Sequence, residues 1–332
     1  MAAPGSGLPR RRLSPAAYRR ITFLAVVLLA FIVVTGGAVR LTGSGLGCPK
    51  WPTCDTSVVQ VGPSDIHRSI ESVNRTITGL VSVIVILAVL GSLLRAPRRR
   101  DLVWLSVGLV VGVIAQIVLG GLVVLTHLNP YLVMQHFSVS MLLLLDAVVL
   151  HHRASRPDGP PDPARPGGSI PPPLGAVVPP DLKGLIRMSA VAAALVIVLG
   201  TVVTATGPHP GSDKGTVVER LPLSVHRVSQ VHGLAVMCFL ALVVFIAFAC
   251  RRADVGPRVV RAVEVLLGAI VLQGAIGYTQ YFAGVPVLLV GFHIAGATSV
   301  WIATLHLNLV ITEPVPSSPE LAPRSSFSFV EA

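Results

Sequence analysis

Three histidines lie inside long apolar segments, where an ionisable side chain is costly and usually functional. They are His136, His232 and His293, and each stands only a few residues inside its segment. Because an α-helix rises 1.5 Å per residue, their depths differ by about one helical turn. Two neutral imidazoles on two helices of one bundle are the usual way to hold a haem iron in six coordination. We therefore expect His232 and His293 to bind a haem iron together, with His136 at the same depth elsewhere.

Other roles for these histidines are less favoured. A histidine within a membrane can simply hydrogen-bond a neighbouring helix, but that role suits a single histidine better than three at matched depth. A zinc site is disfavoured, because no carboxylate, cysteine or further histidine accompanies these histidines at a spacing that zinc ligands use.

Two of the histidines belong to an internal repeat. A Gln, a Gly four residues later and a His twenty residues after the Gln occur twice at an offset of 157: Gln116, Gly120, His136 and Gln273, Gly277, His293. Thr42-Gly43 similarly resembles Thr206-Gly207, and Asn74 falls where His232 falls. We expect two halves that cross the membrane in the same direction, as in parallel repeats related by an axis along the membrane normal.

The elements that position these residues are apolar segments of membrane-spanning length. Hydrophobic residues make up 52% of the chain and charged residues 12%, and the mean hydropathy is +0.76. A spanning helix needs about 20 apolar residues, and backbone polar groups in lipid must be satisfied internally. The sequence predicts an all-α integral membrane protein with eight transmembrane helices in two pseudo-symmetric four-helix bundles. The predicted spans are 21–39, 76–94, 102–125, 131–151, 186–206, 229–250, 259–280 and 286–311.

The basic residues predict the orientation. The net charge is +11, and arginines concentrate before the first span and in every second loop after it. The positive-inside rule then places both termini in the cytoplasm of a multi-pass protein of the plasma membrane. No nucleic-acid partner is expected, because the arginines lie at span ends without a basic and aromatic patch. The first span is too long for a typical signal peptide and is expected to be retained.

Composition divides the chain into five segments. Residues 153–182 are rich in Pro, Gly and Arg and cannot bury enough apolar surface to become ordered. We expect a cytoplasmic N-terminal segment (1–20), an N-terminal four-helix bundle (21–152), a disordered cytoplasmic linker (153–185), a C-terminal four-helix bundle (186–311) and a disordered cytoplasmic tail (312–332).

The first outer loop carries the most specific short motif. Cys48 and Cys54 stand there with five residues between them. A disulfide is plausible in an oxidising compartment, and its exposure would make it labile. The pair is then either redox-active or a purely structural link.

A second polar group follows that loop. His67, Glu71 and Asn74 have the i, i+4, i+7 spacing of one helix face. Glu71 is either the partner of Arg68 or Arg75 in a salt bridge, or a carboxylate that moves protons at a redox site.

Together these features resemble the haem A synthase family. The resemblance rests on the paired cysteines, on the Glu-x-x-(His)-Arg segment and on the histidines of several even-numbered helices. It covers about residues 20–311 apart from the linker. It implies an oxidoreductase that converts the C8 methyl group of haem O to the formyl group of haem A for cytochrome oxidase, by two hydroxylations and a dehydration.

The resemblance also implies a role for each half. The C-terminal half would hold a haem b cofactor with His232 and His293 as its two iron ligands. The N-terminal half would bind haem O as substrate and release haem A, with His136 on the substrate iron.

Three further residues match positions of the family. Glu71 matches its functional glutamate and is the expected catalytic residue, and Cys48 and Cys54 match its loop cysteines and are expected to form a disulfide. Besides the lipid bilayer, the expected partners are haem O synthase and cytochrome oxidase assembly factors. Assembly into a homo-oligomer is left open.

One position departs from the family pattern, which has His where this chain has Asn74. An amide is a poor iron ligand, so His136 would be the only strong ligand in the N-terminal half. An open position on that iron suits a site that activates oxygen or water. The alternative is that His67, two turns away on the same face, replaces the missing ligand.

Two other functions compete with an enzyme. A non-catalytic dihaem cytochrome would transfer electrons in the membrane, and a haem-free transporter can also be built on a parallel repeat. Asn74 favours the enzyme over the cytochrome, because an electron carrier is better served by six-coordinate haems in both halves.

Overall fold

The part of the chain that the structure describes folds into α-helices that are long enough to span a membrane. A computed structural model describes residues 12–48, 51–52, 65–158, 178–212 and 217–312. Within these ranges there are eight α-helices, all long and apolar enough to cross a membrane. They are α1 (Pro15–Leu41), α2 (Asp65–Leu94), α3 (Arg100–Leu125), α4 (Pro130–Ala154), α5 (Pro180–Thr206), α6 (Val225–Arg252), α7 (Pro257–Phe282) and α8 (Val287–Val310). The prediction of an all-α multi-pass membrane protein with eight spans is confirmed.

Three helices begin well before the predicted spans. α1 begins at Pro15 rather than at residue 21, α2 at Asp65 rather than at residue 76, and α5 at Pro180 rather than at residue 186. Hydropathy marks the apolar part of a helix, whereas its backbone hydrogen bonds continue into polar sequence. Residues 180–185, predicted as linker, are therefore helical. The predicted disorder of 159–177 and 313–332 concerns residues outside the described ranges.

Local capping sets where α4 begins. The Asn129 side chain accepts hydrogen bonds from the backbone N–H groups of Tyr131 and Leu132, and Pro130 occupies the first helical turn. Asn at the N-cap and Pro just after it are favoured because they satisfy or remove unpaired N–H groups. His136 consequently lies two turns inside α4.

The eight helices form two four-helix bundles, and the helices of each bundle lie at the corners of a square. In the first bundle each of α1 to α4 contacts its two neighbours in a closed ring, and α5 to α8 do the same in the second. The bundles meet where α1 contacts α8, where α4 contacts α5, and where α4 contacts α8. This set of contacts is unchanged when the two bundles are exchanged, as expected for a pseudo-twofold axis between α4 and α8. Across that contact, Trp301 Nε1–H donates to the Met141 carbonyl at 3.0 Å.

The turns that precede α4 and α8 have the same backbone conformation. His127 and Leu128 have φ values of 52° and 65°, and Gly284 and Val285 have 78° and 60°. Non-glycine residues rarely adopt this left-handed region. The duplication has kept the turn although His127 replaces its glycine, so the fourth helix of each bundle starts in equivalent register.

Candidate functional site

The Gln-Gly-His pattern joins the third and fourth helices of each bundle. Gln273 Nε2 donates to the carbonyl of His293 at 2.8 Å. One turn later, Gly277 makes room for the imidazole, since a Cβ there would lie only 3.0 Å from His293 Cε1. In the first bundle, Gln116 Nε2 donates to the carbonyl of His136 at 3.1 Å. A Cβ on Gly120 would lie 3.4 Å from His136 Cε1. The pattern therefore fixes the depth and rotation of an imidazole.

All three membrane histidines have the same orientation relative to a glycine. Each has its Cε1 atom against a glycine of the neighbouring helix, and each buries Nδ1 without a hydrogen-bond partner among the described residues. An imidazole nitrogen without a hydrogen-bond partner is available to a metal ion. Within the described residues, no group of three or more His, Cys, Asp or Glu could hold a bare metal ion. A haem already supplies four nitrogens, so one or two imidazoles are enough.

The second bundle fits a six-coordinate haem. His232 on α6 lies against Gly200 of α5, where a Cβ would be 3.3 Å from its Cε1 atom. His293 lies on α8, diagonally across the square, and the two imidazoles are close enough to interact electrostatically. Two imidazoles from diagonal helices, each packed on a glycine, provide the donor set that haem iron requires.

The first bundle keeps the glycine but lacks the second imidazole. The offset of 164 that relates Thr42 to Thr206 also relates Gly36 to Gly200. A Cβ on Gly36 would meet nothing within 4 Å, whereas one on Gly200 would touch His232. The side chain that stands in the first bundle where His232 stands in the second is Asn74. At the level of His136, the described part of the first bundle thus has one imidazole and, beside Gly36, open space.

Asn74 is hydrogen-bonded to the neighbouring helix α1. Its Oδ1 accepts a hydrogen bond from the Thr35 hydroxyl at 2.9 Å. His67, the alternative ligand, lies seven residues before Asn74, near the beginning of α2. Its Nδ1 is hydrogen-bonded to the Ser44 hydroxyl at 3.0 Å. Seven residues correspond to about 10 Å along a helix, so His67 belongs to the loop layer rather than to the level of Asn74.

Glu71 attaches the first outer loop to α2. (We call the side where α1 ends the outer face, after the charge-based prediction.) Glu71 is only 5% exposed, and its Oε2 accepts the Cys48 N–H at 2.7 Å. Its Oε1 accepts from Arg75 at 2.5 Å, and Arg75 also donates to the carbonyls of Cys48 and Pro52. Of the two arginines considered from the sequence, Arg75 is the partner.

The loop so attached reaches the first bundle near His136. A Cβ on Gly121 of α3 would lie 2.7 Å from the Trp51 indole, and the adjacent Gly120 faces the His136 ring. Trp51 is therefore close to the imidazole level, a placement that the sequence analysis missed. Its one signal was the Gly120-Gly121 pair. The Cys48–Cys54 disulfide stays a prediction, because Cys54 lies outside the described ranges.

The glycine contacts predict a difference between two valine variants of α7. Gly277→Val is expected to displace the His293 ring and to reduce bound low-spin haem severalfold, because overpacking forces neighbours to move. Gly274→Val is the control, since a Cβ at that position meets nothing within 4 Å. Haem absorbance per protein measures both. Equal losses in the two variants would contradict this role of Gly277.

Known proteins resemble this chain over different extents. Residues 19–305 match the family model described as COX15-CtaA, cytochrome oxidase assembly protein. A Heme A synthase of Listeria welshimeri is 29% identical over 128 residues, which are 38% of this chain and 42% of that protein. The Heme A synthase of Geobacillus kaustophilus is 34% identical over 128 residues, 37% and 39% of the two chains. That of Alkalihalophilus pseudofirmus is 30% identical over 134 residues, 40% and 44%.

The alignments with these relatives are partial, and the chain spans about two fifths of each relative's length. The family match is much longer, since it extends from the first helix into the last. On that match, the chain belongs to the COX15-CtaA family of cytochrome oxidase assembly proteins.

Proposed function

We propose that this protein is a haem A synthase, which oxidises the C8 methyl group of haem O to the formyl group of haem A. Family membership and the name of the aligned relatives support the proposal. The observation that carries it is the inequality of the two bundles. His232 and His293 pair in one, whereas the other offers His136, Asn74 and free space beside Gly36. Such a difference suits one resident haem and one substrate haem, and two equivalent electron carriers do not require it.

Each bundle has its own role in this proposal. His232 and His293 hold haem b, which supplies one-electron transfer when bound. His136 binds and orients the iron of haem O in the first bundle. Its ring is fixed by Gly120, and its backbone by Gln116, whose amide also donates to Ser140 at 2.6 Å. The position and orientation of the imidazole that would hold the substrate iron are thereby fixed.

The first outer loop protects and serves this substrate site. Trp51 packs on α3 beside the His136 level and excludes water from the ring edge. Glu71 holds the loop through the Cys48 N–H. Its Oε2 is the atom that we assign to accept and return a proton during the oxidation of the methyl group.

The setting of the enzyme is proposed on the same grounds. The protein would lie in the plasma membrane with both termini in the cytoplasm, receive haem O from haem O synthase, and serve assembly factors of cytochrome oxidase. We retain the Cys48–Cys54 disulfide as part of this proposal, because it would close the loop that Glu71 holds.

Expression together with haem O synthase tests the function. Purified protein should yield haem b together with haem A or a hydroxylated haem O on extraction, and the reduced-minus-oxidised spectrum should show a low-spin haem b. Haem b alone would identify a non-catalytic cytochrome instead. Absence of any haem would contradict both functions.

The Glu71→Gln variant separates a proton-transfer role from loop attachment. We expect haem binding to persist and oxidation of haem O to slow by about 10²- to 10⁴-fold, the usual contribution of a general acid or base. The amide can still accept the Cys48 N–H but cannot carry a proton. Haem A yield per bound haem O is the measurement.

Arg75→Gln is the matched comparison for Glu71. It breaks the 2.5 Å ion pair but leaves the carboxyl group in place. If loop attachment were the whole role of Glu71, the two variants would lose activity equally. A larger loss in Glu71→Gln is the expected result, and normal haem A yield in that variant would remove Glu71 from the mechanism.

A further inference from the structure

Two arginines from different bundles converge on one backbone carbonyl. Arg40, at the outer end of α1, donates from Nη2 to the Thr204 carbonyl at 3.1 Å and from Nε to the His209 carbonyl at 3.1 Å. Arg220, which precedes α6, donates from Nη2 to the same Thr204 carbonyl at 3.1 Å and also to the carbonyl of Gly207. The two guanidinium groups are close enough to repel each other.

This pair of cations has no acidic partner among the described residues. The ion pairs found there involve other arginines, and none includes Arg40 or Arg220. Burial lowers the pKa of the Arg220 guanidinium, which shows that it has lost hydration. A neutral carbonyl offsets little of the cost of two partly desolvated like charges. An anion at this position would offset the repulsion between the two guanidinium groups.

The pair lies one helical turn from the imidazole site of the second bundle. Thr204 follows Gly200 by four residues on α5, a rise of about 6 Å toward the outer face. Gly200 is the residue that packs on the His232 ring. A carboxylate attached to a group held between His232 and His293 is thus within reach of the two guanidinium groups.

The outer loops cover this position from outside. Gly45 N–H donates to the Gly211 carbonyl at 2.8 Å, which joins the first loop of one bundle to the first loop of the other. A Cβ on Gly211 would lie 3.5 Å from Arg40 Cγ, so the loop packs directly on the Arg40 stem. A lipid headgroup would have to displace these loops, whereas a carboxylate from within the bundle would not.

We propose that Arg40 and Arg220 form a carboxylate-binding site at the junction of the bundles, and that its ligand is a propionate of the haem held by His232 and His293. The inference rests on the proposed haem site of the second bundle. Arg matches a carboxylate with two parallel hydrogen bonds, and the α5 carbonyls already fix both guanidinium groups. Through Arg40, a charge from the first bundle acts on the haem of the second.

Redox titration of the haem-loaded protein tests this assignment. Arg40→Gln and Arg220→Gln should each keep haem b but lower its midpoint potential, because a nearby cation disfavours the ferric state. We expect about a tenfold change in the reduction equilibrium, or about 59 mV for one electron. Arg220→Lys should retain most of the potential, since it keeps the charge. Arg68→Gln, which removes an exposed arginine of α2, is the control and should cause no shift.

The possible results distinguish a failure of the propionate site from a failure of the haem assignment on which it rests. Haem b bound with an unchanged potential in both Gln variants would overturn the propionate site and leave the haem assignment intact. Wild-type protein without haem b would overturn the haem assignment itself. If added inorganic phosphate shifts the wild-type potential, the site binds free anions and the propionate assignment is wrong. If Arg40→Gln does not fold, Arg220→Gln alone tests the proposal, because Arg220 lies outside the helices.

Discussion

Replacing His293 with alanine is expected to abolish the low-spin haem b of the second bundle. The variant leaves His232 as the single imidazole on that iron and removes the ring that packs on Gly277, while the Gln273 hydrogen bond to the backbone carbonyl of residue 293 remains. Loss of an outer-shell partner alone weakens metal binding by about 10- to 100-fold, so loss of a ligand should cost at least as much. The reduced-minus-oxidised spectrum and the haem content per protein measure the effect.

A control on the same helix distinguishes ligand loss from general damage. His306→Ala removes an exposed imidazole near the other end of α8 and should leave the spectrum unchanged. His136→Ala should also preserve the low-spin haem b, since it alters only the first bundle. Persistence of the full low-spin signal in His293→Ala would refute the assignment of that ligand.

The membrane fold was predictable because its signals are local. An apolar segment of about 20 residues has one stable conformation in lipid, whatever surrounds it. The internal repeat predicted two similar bundles, since Gln116 and Gln273 begin the same Gln-Gly-His pattern in the two halves of the chain. The polar beginning of α2 was underestimated, because its helical residues Asp65–Arg75 are not apolar and hydropathy does not register them.

The site was predictable only where one side chain carries the signal. An imidazole in apolar sequence is conspicuous, and the three histidines were found by type and depth. Gly36 and Gly200 were not found, because a glycine within an apolar helix says nothing until its neighbour across the bundle is known. Arg220 and Trp51 were missed for the same reason: their partners, Thr204 and Gly121, are distant in sequence and become neighbours through tertiary packing.

Asn74→His is expected to convert the first bundle into a copy of the second. The space beside Gly36 is free, whereas the equivalent space beside Gly200 borders the His232 ring. A new imidazole at position 74 can therefore occupy the place that its counterpart occupies. It would give the substrate iron a second strong ligand, and the binding of added small ligands should fall.

Carbon monoxide binding to the reduced protein measures this change directly. An imidazole fixed within the bundle competes at an effective concentration well above that of the dissolved gas, so we expect a loss of about tenfold or more. Asn74→Leu removes the amide without supplying a ligand and should keep carbon monoxide binding. Adding Gly36→Val to Asn74→His should restore binding, because the valine occupies the space that the ring needs.

These variants bear on why the two bundles differ. If Asn74→His binds carbon monoxide as well as the wild type does, the missing histidine does not define the substrate site, and the asymmetry loses its functional meaning. If binding is lost and regained as expected, the residue at position 74 decides whether the iron of the first bundle has an open position. The same glycine on both first helices then records that the bundles began alike, since Gly36 still leaves room for a ring that Asn74 no longer provides.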